Sequence, residues 1–150
     1  MWAKGALTED TFDWYAQDRA GNVYMGENST QYKAGVVTGH EGSWEAGVNG
    51  AKPGWVMEAH PKVGDRYRQE YLPGVAEDVG DVLSLTESVT VPYGSWSGNV
   101  LRTQDTSALE PTRIENKLYA LRVGDVKEEG IKGGTGGSVL VSVSHGATAR

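Results

Sequence analysis

The residues with the clearest metal chemistry are histidines that have carboxylates close by in the sequence. His40 precedes Glu41, and Glu58 lies two residues before His60. Because residues two apart share a face of a β-strand, Glu58 and His60 can approach one ion if their segment is extended. Histidine and carboxylate ligands with an open water position bring the pKa of bound water toward neutral in hydrolytic metal centres. The pattern predicts these four residues as ligands of a divalent metal cofactor.

Chance also produces such neighbours, because the chain has 20 acidic residues and three histidines. Ordinary solvated surface residues are therefore the alternative explanation for the same pattern. Two further glutamates, Glu45 and Glu70, are candidates for catalysis. Either is a candidate general base for the metal-assisted reaction, and the two together are a candidate acid–base pair for glycoside hydrolysis, in which the separation of the carboxyl groups determines the stereochemical outcome.

Large aromatic residues are interleaved with carboxylates along the same segments. Tyrosine and tryptophan side chains that line a concave sheet beside a few carboxylates suit a cationic or sugar-like ligand, through stacking and charge-assisted hydrogen bonds. Packing in the core is the alternative for each aromatic residue taken alone, since large aromatics are common in all-β cores. The residues that we predict to bind a ligand are Trp14, Asp18, Trp44, Tyr67 and Tyr71.

Composition limits the classes of partner that this chain can have. It has 150 residues, 38% of them hydrophobic and 23% charged, which is the range of a globular domain. Its formal charge of −6 argues against nucleic acid as a partner, because phosphate-binding proteins need clustered Lys and Arg. No apolar run approaches the roughly 20 residues that cross a bilayer. Cysteine is absent, which excludes disulfides and thiolate metal sites.

The elements that must position these residues are predicted to be β-strands. The chain contains 21 glycines, and the stretches between them are rich in Val, Thr, Tyr and Trp and often alternate in polarity. In residues 11–18, Phe12 and Trp14 fall on one face while Asp13 and Tyr15 fall on the other. We expect an all-β fold: a curved antiparallel meander of about ten short strands that forms a barrel or half-barrel. It is a single domain over residues 1–150, with residues 1–9 flexible and residues 146–150 a tail.

Four segments resemble a family of uncharacterised bacterial proteins that are often predicted to be secreted or lipid-anchored. They are Trp-Tyr-Ala-Gln-Asp at 14–18, Gly-Ser-Trp-Glu-Ala-Gly at 42–47, Tyr-Arg-Gln-Glu-Tyr at 67–71 and Val-Pro-Tyr-Gly at 91–94. The resemblance implies a secreted or cell-envelope protein and brings no established activity. Residues 115–128 look similar to the last strands of lipocalin-like or lipoprotein-carrier folds, an analogy that concerns the fold alone.

The same resemblance predicts a self-associating sheet. Members of the resembled family carry further strands before the first of these segments, which implies that this chain is a truncated form. A sheet that has lost strands exposes an edge, and an exposed edge favours pairing with a second copy. We therefore expect a homodimer or a higher oligomer that is joined through a sheet edge.

Two functions follow from these patterns. The first is a small-ligand-binding module with an aromatic and acidic pocket. The second is a metal-assisted hydrolase that uses the histidines and glutamates named above as ligands.

Overall fold

The computed structural model describes residues 1–133 and 136–144, which form an all-β protein with antiparallel pairing throughout, as the sequence predicts. The predicted tail at 146–150 and residues 134–135 lie outside the described residues. The strands are β1 Trp2–Ala3, β2 Ala6–Leu7, β3 Glu9–Gln17, β4 Gly21–Lys33, β5 Val36–Gly39, β6 Trp44–Glu45, β7 Lys52–Glu58, β8 Arg66–Arg68, β9 Glu70–Tyr71, β10 Asp78–Val91, β11 Gly94–Ser107, β12 Ile114–Ala120, β13 Gly124–Lys132 and β14 Gly137–Val139.

The first large sheet contains six strands in the order β14-β13-β12-β11-β10-β8. Strands β10 to β14 follow one another in the chain and in space, so this part is the antiparallel meander that the sequence predicts. Its longest unit is the β10–β11 hairpin, in which Val91 pairs with Gly94 across the turn formed by Pro92 and Tyr93. Register shifts near Ser84 and Glu87 interrupt the regular pairing of the two strands without ending them.

The second large sheet is built around β4. Its order is β3-β4-β7-β9, and β5 and β6 also pair with β4. The tight turn between β3 and β4 is held by Asp18, whose Oδ1 accepts hydrogen bonds of 2.7 Å from the amides of Ala20 and Gly21. This is an Asx turn, in which the short carboxylate satisfies the backbone donors of the reversal. Residues 1–9, for which the sequence predicts flexibility, include the small β1–β2 hairpin.

The two sheets are joined at a corner centred on Gln69. Strand β8 pairs with β10 in the first sheet, and β9 pairs with β7 in the second, so the chain changes sheets at the residue between them. Gln69 is buried, and its backbone N–H donates to the carbonyl of Asp78 at 2.8 Å. Gly54 of β7 packs against this corner. Corners of this kind let two sheets face each other as layers with a shared interior.

The sheets do not close into a barrel among the described residues. The first sheet ends at β14 and β8, and the second has β3 at one edge and β9 at the other. The structure therefore has two open sheets and not the closed form of the predicted barrel, and in place of about ten short strands the described residues form fourteen, from two to 14 residues long. Residue alternation indicates which segments are extended, but it carries no information about which edges meet.

Apolar packing is divided among three clusters. The first cluster covers the side of the first sheet that faces away from the second sheet, and it consists of Val89, Val91, Val100, Leu118, Ala120 and Val126. The second cluster fills the space between the sheets near the corner and consists of Tyr67, Val82, Leu101 and Tyr119. The third cluster surrounds Trp44. Because neighbouring residues of a strand point to opposite faces, Leu118 and Tyr119 stabilise different sides of the same sheet.

Candidate functional site

A cleft of about 590 Å³ lies between the two sheets, beyond the packed corner. Ten of the 20 acidic residues of the chain line it, and only two cationic side chains, Arg113 and Lys117, do so. We call this region the acidic cleft. Its carboxylates are Glu9, Asp13, Glu27, Glu41, Glu70, Asp78, Asp105, Glu110, Glu115 and Glu128.

Strand register explains why so many polar side chains meet there. On the second sheet, alternate residues of β3 and β4 lie opposite each other and face the cleft; the pairs are Glu9–Gln31, Thr11–Ser29 and Asp13–Glu27. On the first sheet, Lys117 of β12 lies between Thr103 of β11 and Glu128 of β13. Both sheets therefore turn a polar face toward the other, and the cleft stays open because charged groups keep their access to water.

Asp13 and Glu27 share one hydroxyl group. The Tyr24 hydroxyl lies 2.7 Å from Asp13 Oδ1 and 3.1 Å from Glu27 Oε2. A hydroxyl has a single proton to donate, so a second bond in this trio requires a proton on one of the carboxyl groups. Desolvation, followed by the charge of Asp13, raises the pKa of Glu27 to about 7, and desolvation also raises the pKa of Asp13. Both shifts favour a proton on one carboxyl group of this trio.

Glu70 is the most deeply placed carboxylate without a counter-charge. It is 6% exposed, and its Oε2 atom has no hydrogen-bond partner among the described residues. Burial raises its pKa to about 8; the charges of Asp78 and Glu27 add to the shift, while Trp44 and Lys117 oppose it. Burial likewise raises the pKa of Asp78. The buried indole Nε1 of Trp44, which also lacks a hydrogen-bond partner of good geometry among the described residues, is the protein donor that acts on this carboxyl group.

The two cationic side chains of the cleft are already paired, and the amino group of Met1, which also lines the cleft, donates to the Glu9 carbonyl. Lys117 Nζ lies 3.0 Å from Asp105 Oδ2 and 3.8 Å from Glu128 Oε1, and Arg113 bridges Glu110 and Glu115. Desolvation lowers the pKa of Lys117, but the surrounding negative charges outweigh it and raise this pKa well above its ordinary value. Within the described part of the chain, six cleft carboxylates have no ion-pair partner: Glu9, Asp13, Glu27, Glu41, Glu70 and Asp78.

The structure separates the two glutamates that the sequence offers as a catalytic pair. Glu70 lines the acidic cleft, whereas Glu45 pairs with Gly26 on the other face of the second sheet and is exposed. Trp44, the residue before Glu45, pairs with Glu27 and points inward, where it is buried in contact with Ala51 and Ala76. Because successive residues of a strand alternate in direction, Glu45 cannot share the face of Trp44.

The aromatic residues predicted to bind a ligand are scattered as well. Tyr67 is a core residue, and its hydroxyl donates to the Val56 carbonyl at 3.3 Å. Trp14 packs over Gly26 on the outer face of the second sheet. Asp18 holds the β3–β4 turn described above, and Tyr71 lies under Lys52 and Arg68 in cation–π contacts. Of this predicted set, Trp44 lies beside Glu70 of the acidic cleft, and its side chain lowers the pKa of that carboxyl group.

The four candidate metal ligands fall into two distant groups. His40 places Nδ1 2.9 Å from the Ser29 carbonyl, and Glu41 lines the acidic cleft. Glu58 and His60 line a separate surface pocket of about 290 Å³. Residues 1–133 and 136–144 contain no group of three His, Asp or Glu side chains arranged to hold a metal ion.

Sequence reasoning missed the residues that define the cleft, above all Asp13, Glu27, Asp78 and Lys117. For Asp13 the sequence does contain a signal, because Glu9, Thr11 and Asp13 of β3 alternate with outward-facing residues. Recognising it requires the register with β4, which depends on where the Asp18 turn begins.

Comparison with known proteins finds no family model, no curated relative and no solved structure that matches this chain.

Proposed function

We propose that this protein is a small-ligand-binding module whose acidic cleft takes a cationic ligand. The observation that carries the proposal is the excess of carboxylates without an ion-pair partner in one cleft, with Glu70 buried among them. A cleft lined by charges of one sign concentrates ions of the opposite sign. Hydrogen bonds from an ammonium group to carboxylates are about twice as strong as those between neutral groups.

The aromatic residues of the predicted pocket contribute less to cation binding than the carboxylates do. Tyr24 lines the cleft, and its ring meets Trp44 edge to face with centroids 5.2 Å apart. On the other side, Tyr24 stacks with Tyr15 at 5.1 Å. These contacts fix the Tyr24 hydroxyl between the two carboxylates. The ring therefore positions Asp13 and Glu27 and supports cation binding without itself forming a broad stacking surface.

Titration calorimetry with butylammonium and with butyrate tests the proposal. We expect butylammonium to bind at low ionic strength and butyrate not to bind, because the unpaired charges in the cleft are negative. Glu27→Gln and Glu70→Gln should each weaken butylammonium binding. Glu45→Gln is the matched control, because it removes an exposed carboxylate from the opposite face and should leave binding unchanged. Equal binding of the cation and the anion would contradict the proposal.

The alternative function, a metal-assisted hydrolase, rests on the sequence pattern alone. Its strongest part is the pocket that contains Glu58 and His60, with Asp65 in its wall. Elemental analysis of the purified protein tests this alternative. Stoichiometric zinc, manganese or calcium that is lost in His60→Ala would favour the hydrolase, and the absence of bound metal from the purified protein would count against it.

We also propose that the protein forms a homodimer through β3. Among the described residues, residues 10–16 of this strand pair with β4 and with no other strand, and Phe12 is 66% exposed. The unpaired amides and carbonyls of an edge strand are complementary to those of a second copy. Sedimentation velocity at micromolar concentration should give a dimer for the natural chain and a monomer for Phe12→Lys. A monomer for the natural chain would contradict the dimer.

The described residues contain no helix that could span a membrane.

A further inference from the structure

We propose that a second site, separate from the acidic cleft, binds a neutral oligosaccharide. One sugar unit occupies the surface pocket of about 290 Å³ beside Trp55, and further units lie along the outer face of the second sheet toward Trp14. We call this pocket the Trp55 pocket. Its larger side chains are Trp55, Glu58, His60, Lys62, Asp65 and Arg66.

Trp55 supplies an exposed aromatic surface in the wall of this pocket. Its side chain is 37% exposed, whereas the next two residues of β7, Val56 and Met57, pack against the core near the corner. One side of a pyranose ring presents mainly C–H groups, whose slight positive charge is attracted by the negative face of an indole ring. An open indole beside a pocket therefore suits a sugar unit.

The polar side chains of the Trp55 pocket balance one another in charge. Glu58 and Asp65 are acidic, Lys62 and Arg66 are basic, and Arg66 also pairs with Asp81. Glu58 and Asp65 interact directly, since desolvation and then the Asp65 carboxyl group raise the pKa of Glu58. Carboxylates accept hydrogen bonds and cationic side chains donate them, so together they satisfy sugar hydroxyls, which do both. The balance of charge favours a neutral ligand, in contrast to the acidic cleft.

The loop beneath the pocket uses its own backbone donors. The Lys62 N–H donates to Asp65 Oδ2 at 2.7 Å, and the Asp65 N–H donates to the Lys62 carbonyl at 3.0 Å. The Ala59 N–H donates to the Ala20 carbonyl at 2.7 Å. Because these donors are already engaged, an extended peptide cannot pair with them as it does with the edge of a sheet. A ligand in this pocket must be held by side chains.

Strand register places Trp14 on the same face of the second sheet as Trp55. Ala16 of β3 pairs with Val23 of β4, and Val23 pairs with Trp55 of β7, so these three residues share a face. Trp14 is two residues before Ala16 and shares that face as well. Its six-membered ring lies directly over Gly26, where a side-chain methyl group would not fit, and its side chain remains 38% exposed. A second indole is therefore open to solvent on this surface.

A sugar fits this outer surface better than a second copy of the chain does. The homodimer proposed above pairs along the edge of β3, which extends the sheet in its own plane and leaves the outer face open. Small residues, Ala16 and Gly26, lie next to the indoles, and Glu45 pairs with Gly26 on the same face. The core of a protein interface is depleted in such charged residues. Separate rings among small and polar residues suit a ligand that contacts each ring with one sugar unit.

NMR titration of the ¹⁵N-labelled protein tests the proposal through the indole N–H signals of its five tryptophans. Trp14→Phe and Trp55→Phe assign two of these signals. The probes are glucose, cellotetraose, maltotetraose and tetraalanine, and EDTA is present because Glu58 and His60 are candidate metal ligands. We expect glucose to shift the Trp55 signal alone. At least one tetrasaccharide should shift both signals and bind about threefold to tenfold more tightly than glucose, the gain from one added ring contact.

Variants assign the two parts of the site separately. Trp55→Ala should abolish the changes that glucose causes in the amide signals of residues 58–66. Trp14→Ala should leave glucose binding unchanged and reduce tetrasaccharide affinity to about that of glucose. Tyr93→Ala is the matched control, because it removes an exposed aromatic residue from the β10–β11 turn of the first sheet and should change neither. The amide spectrum of each variant establishes that the fold is retained.

The outcomes separate this site from the acidic cleft. No response to any of the three saccharides, or a response that persists in Trp55→Ala, would overturn the proposal. Tetraalanine that binds as tightly as the tetrasaccharides would overturn the ligand class. A tetrasaccharide advantage that survives Trp14→Ala would overturn the extension toward Trp14. Each of these results leaves the cation-binding function standing, since that function is measured with butylammonium and with variants of the cleft.

Discussion

Asp13 and Glu27 lie directly opposite each other on β3 and β4, and both are within hydrogen-bond distance of the Tyr24 hydroxyl. Two acidic residues in cross-strand register repel each other when both are ionised. The strand pair is retained because the hydroxyl and a shared proton lower that repulsion. The same arrangement makes this part of the acidic cleft responsive to pH and to cations, and four predictions test its consequences and those of the surrounding fold.

Stability should fall as pH rises from 5 to 8.5. The pKa of Glu70 is raised to about 8 and that of Glu27 to about 7, above their values in an unfolded chain, so the folded protein binds more protons in this window. Protonation of these two carboxyl groups stabilises the fold fully below their pKa in the unfolded chain. This stabilisation is lost as the pH rises through their pKa values in the folded protein. Urea unfolding at pH 5, 7 and 8.5 measures the change.

Glu70→Gln provides the specific check on this pH effect. It should match the natural chain at pH 5 and exceed its free energy of unfolding at pH 8.5 by on the order of 1–3 kcal/mol, since it removes a buried charge that lacks a partner. Glu45→Gln, on the exposed outer face, should follow the natural chain at every pH. A pH-independent free energy of unfolding for the natural chain would contradict the prediction.

Cation binding should release protons. An ammonium group at Asp13 and Glu27 stabilises their ionised forms and lowers both pKa values, so a proton held near pH 7 is expelled. Calorimetric titration of butylammonium in two buffers of different ionisation enthalpy measures the number of protons released. We expect a fraction of a proton up to about one at pH 7, and less in Glu27→Gln. Identical enthalpies in both buffers would count against the shared proton.

Lys117→Met should destabilise the protein strongly. Asp105 is 5% exposed, and removing Lys117 would leave its carboxylate buried beside Glu128 without a cation. Breaking one side of a buried ion pair costs about 3–5 kcal/mol. The double variant Lys117→Met with Asp105→Asn should recover much of this loss, as measured by urea unfolding. Equal destabilisation in the single and double variants would indicate that packing of Lys117, and not its charge, is responsible.

Gly54→Ala should disrupt the corner at which the chain changes sheets. A methyl group at Gly54 would lie 2.3 Å from the Arg68 carbonyl oxygen and 2.5 Å from that of Gln69. Both contacts are with backbone, which cannot move aside without separating β7 from β8 and β9. We expect a loss of about 1–3 kcal/mol, the usual range for overpacking. Gly136→Ala is the control, since its added methyl group meets no atom of the described residues within 4 Å.

The sequence by itself determined the all-β class and the direction of side chains within single strands. Alternation in β3 places Phe12 and Trp14 on one face and Asp13 on the other, and the structure retains that division. Local information suffices here, because the two-residue period of a strand is a property of its own backbone. The Asp18 turn is local in the same way.

Only the tertiary structure decided which faces meet. Glu45 and Glu70 are separated because β6 presents Trp44 to the interior, and a shift of one residue would have reversed this. His40 lies beside the Ser29 carbonyl and His60 in a separate surface pocket, because strand order and not sequence spacing decides where each segment lies. The acidic cleft gathers carboxylates from Glu9 to Glu128, a span that no local pattern connects. Strand order and the corner at Gln69 bring them together, since sheet packing is a long-range interaction whose partners sequence periodicity does not specify.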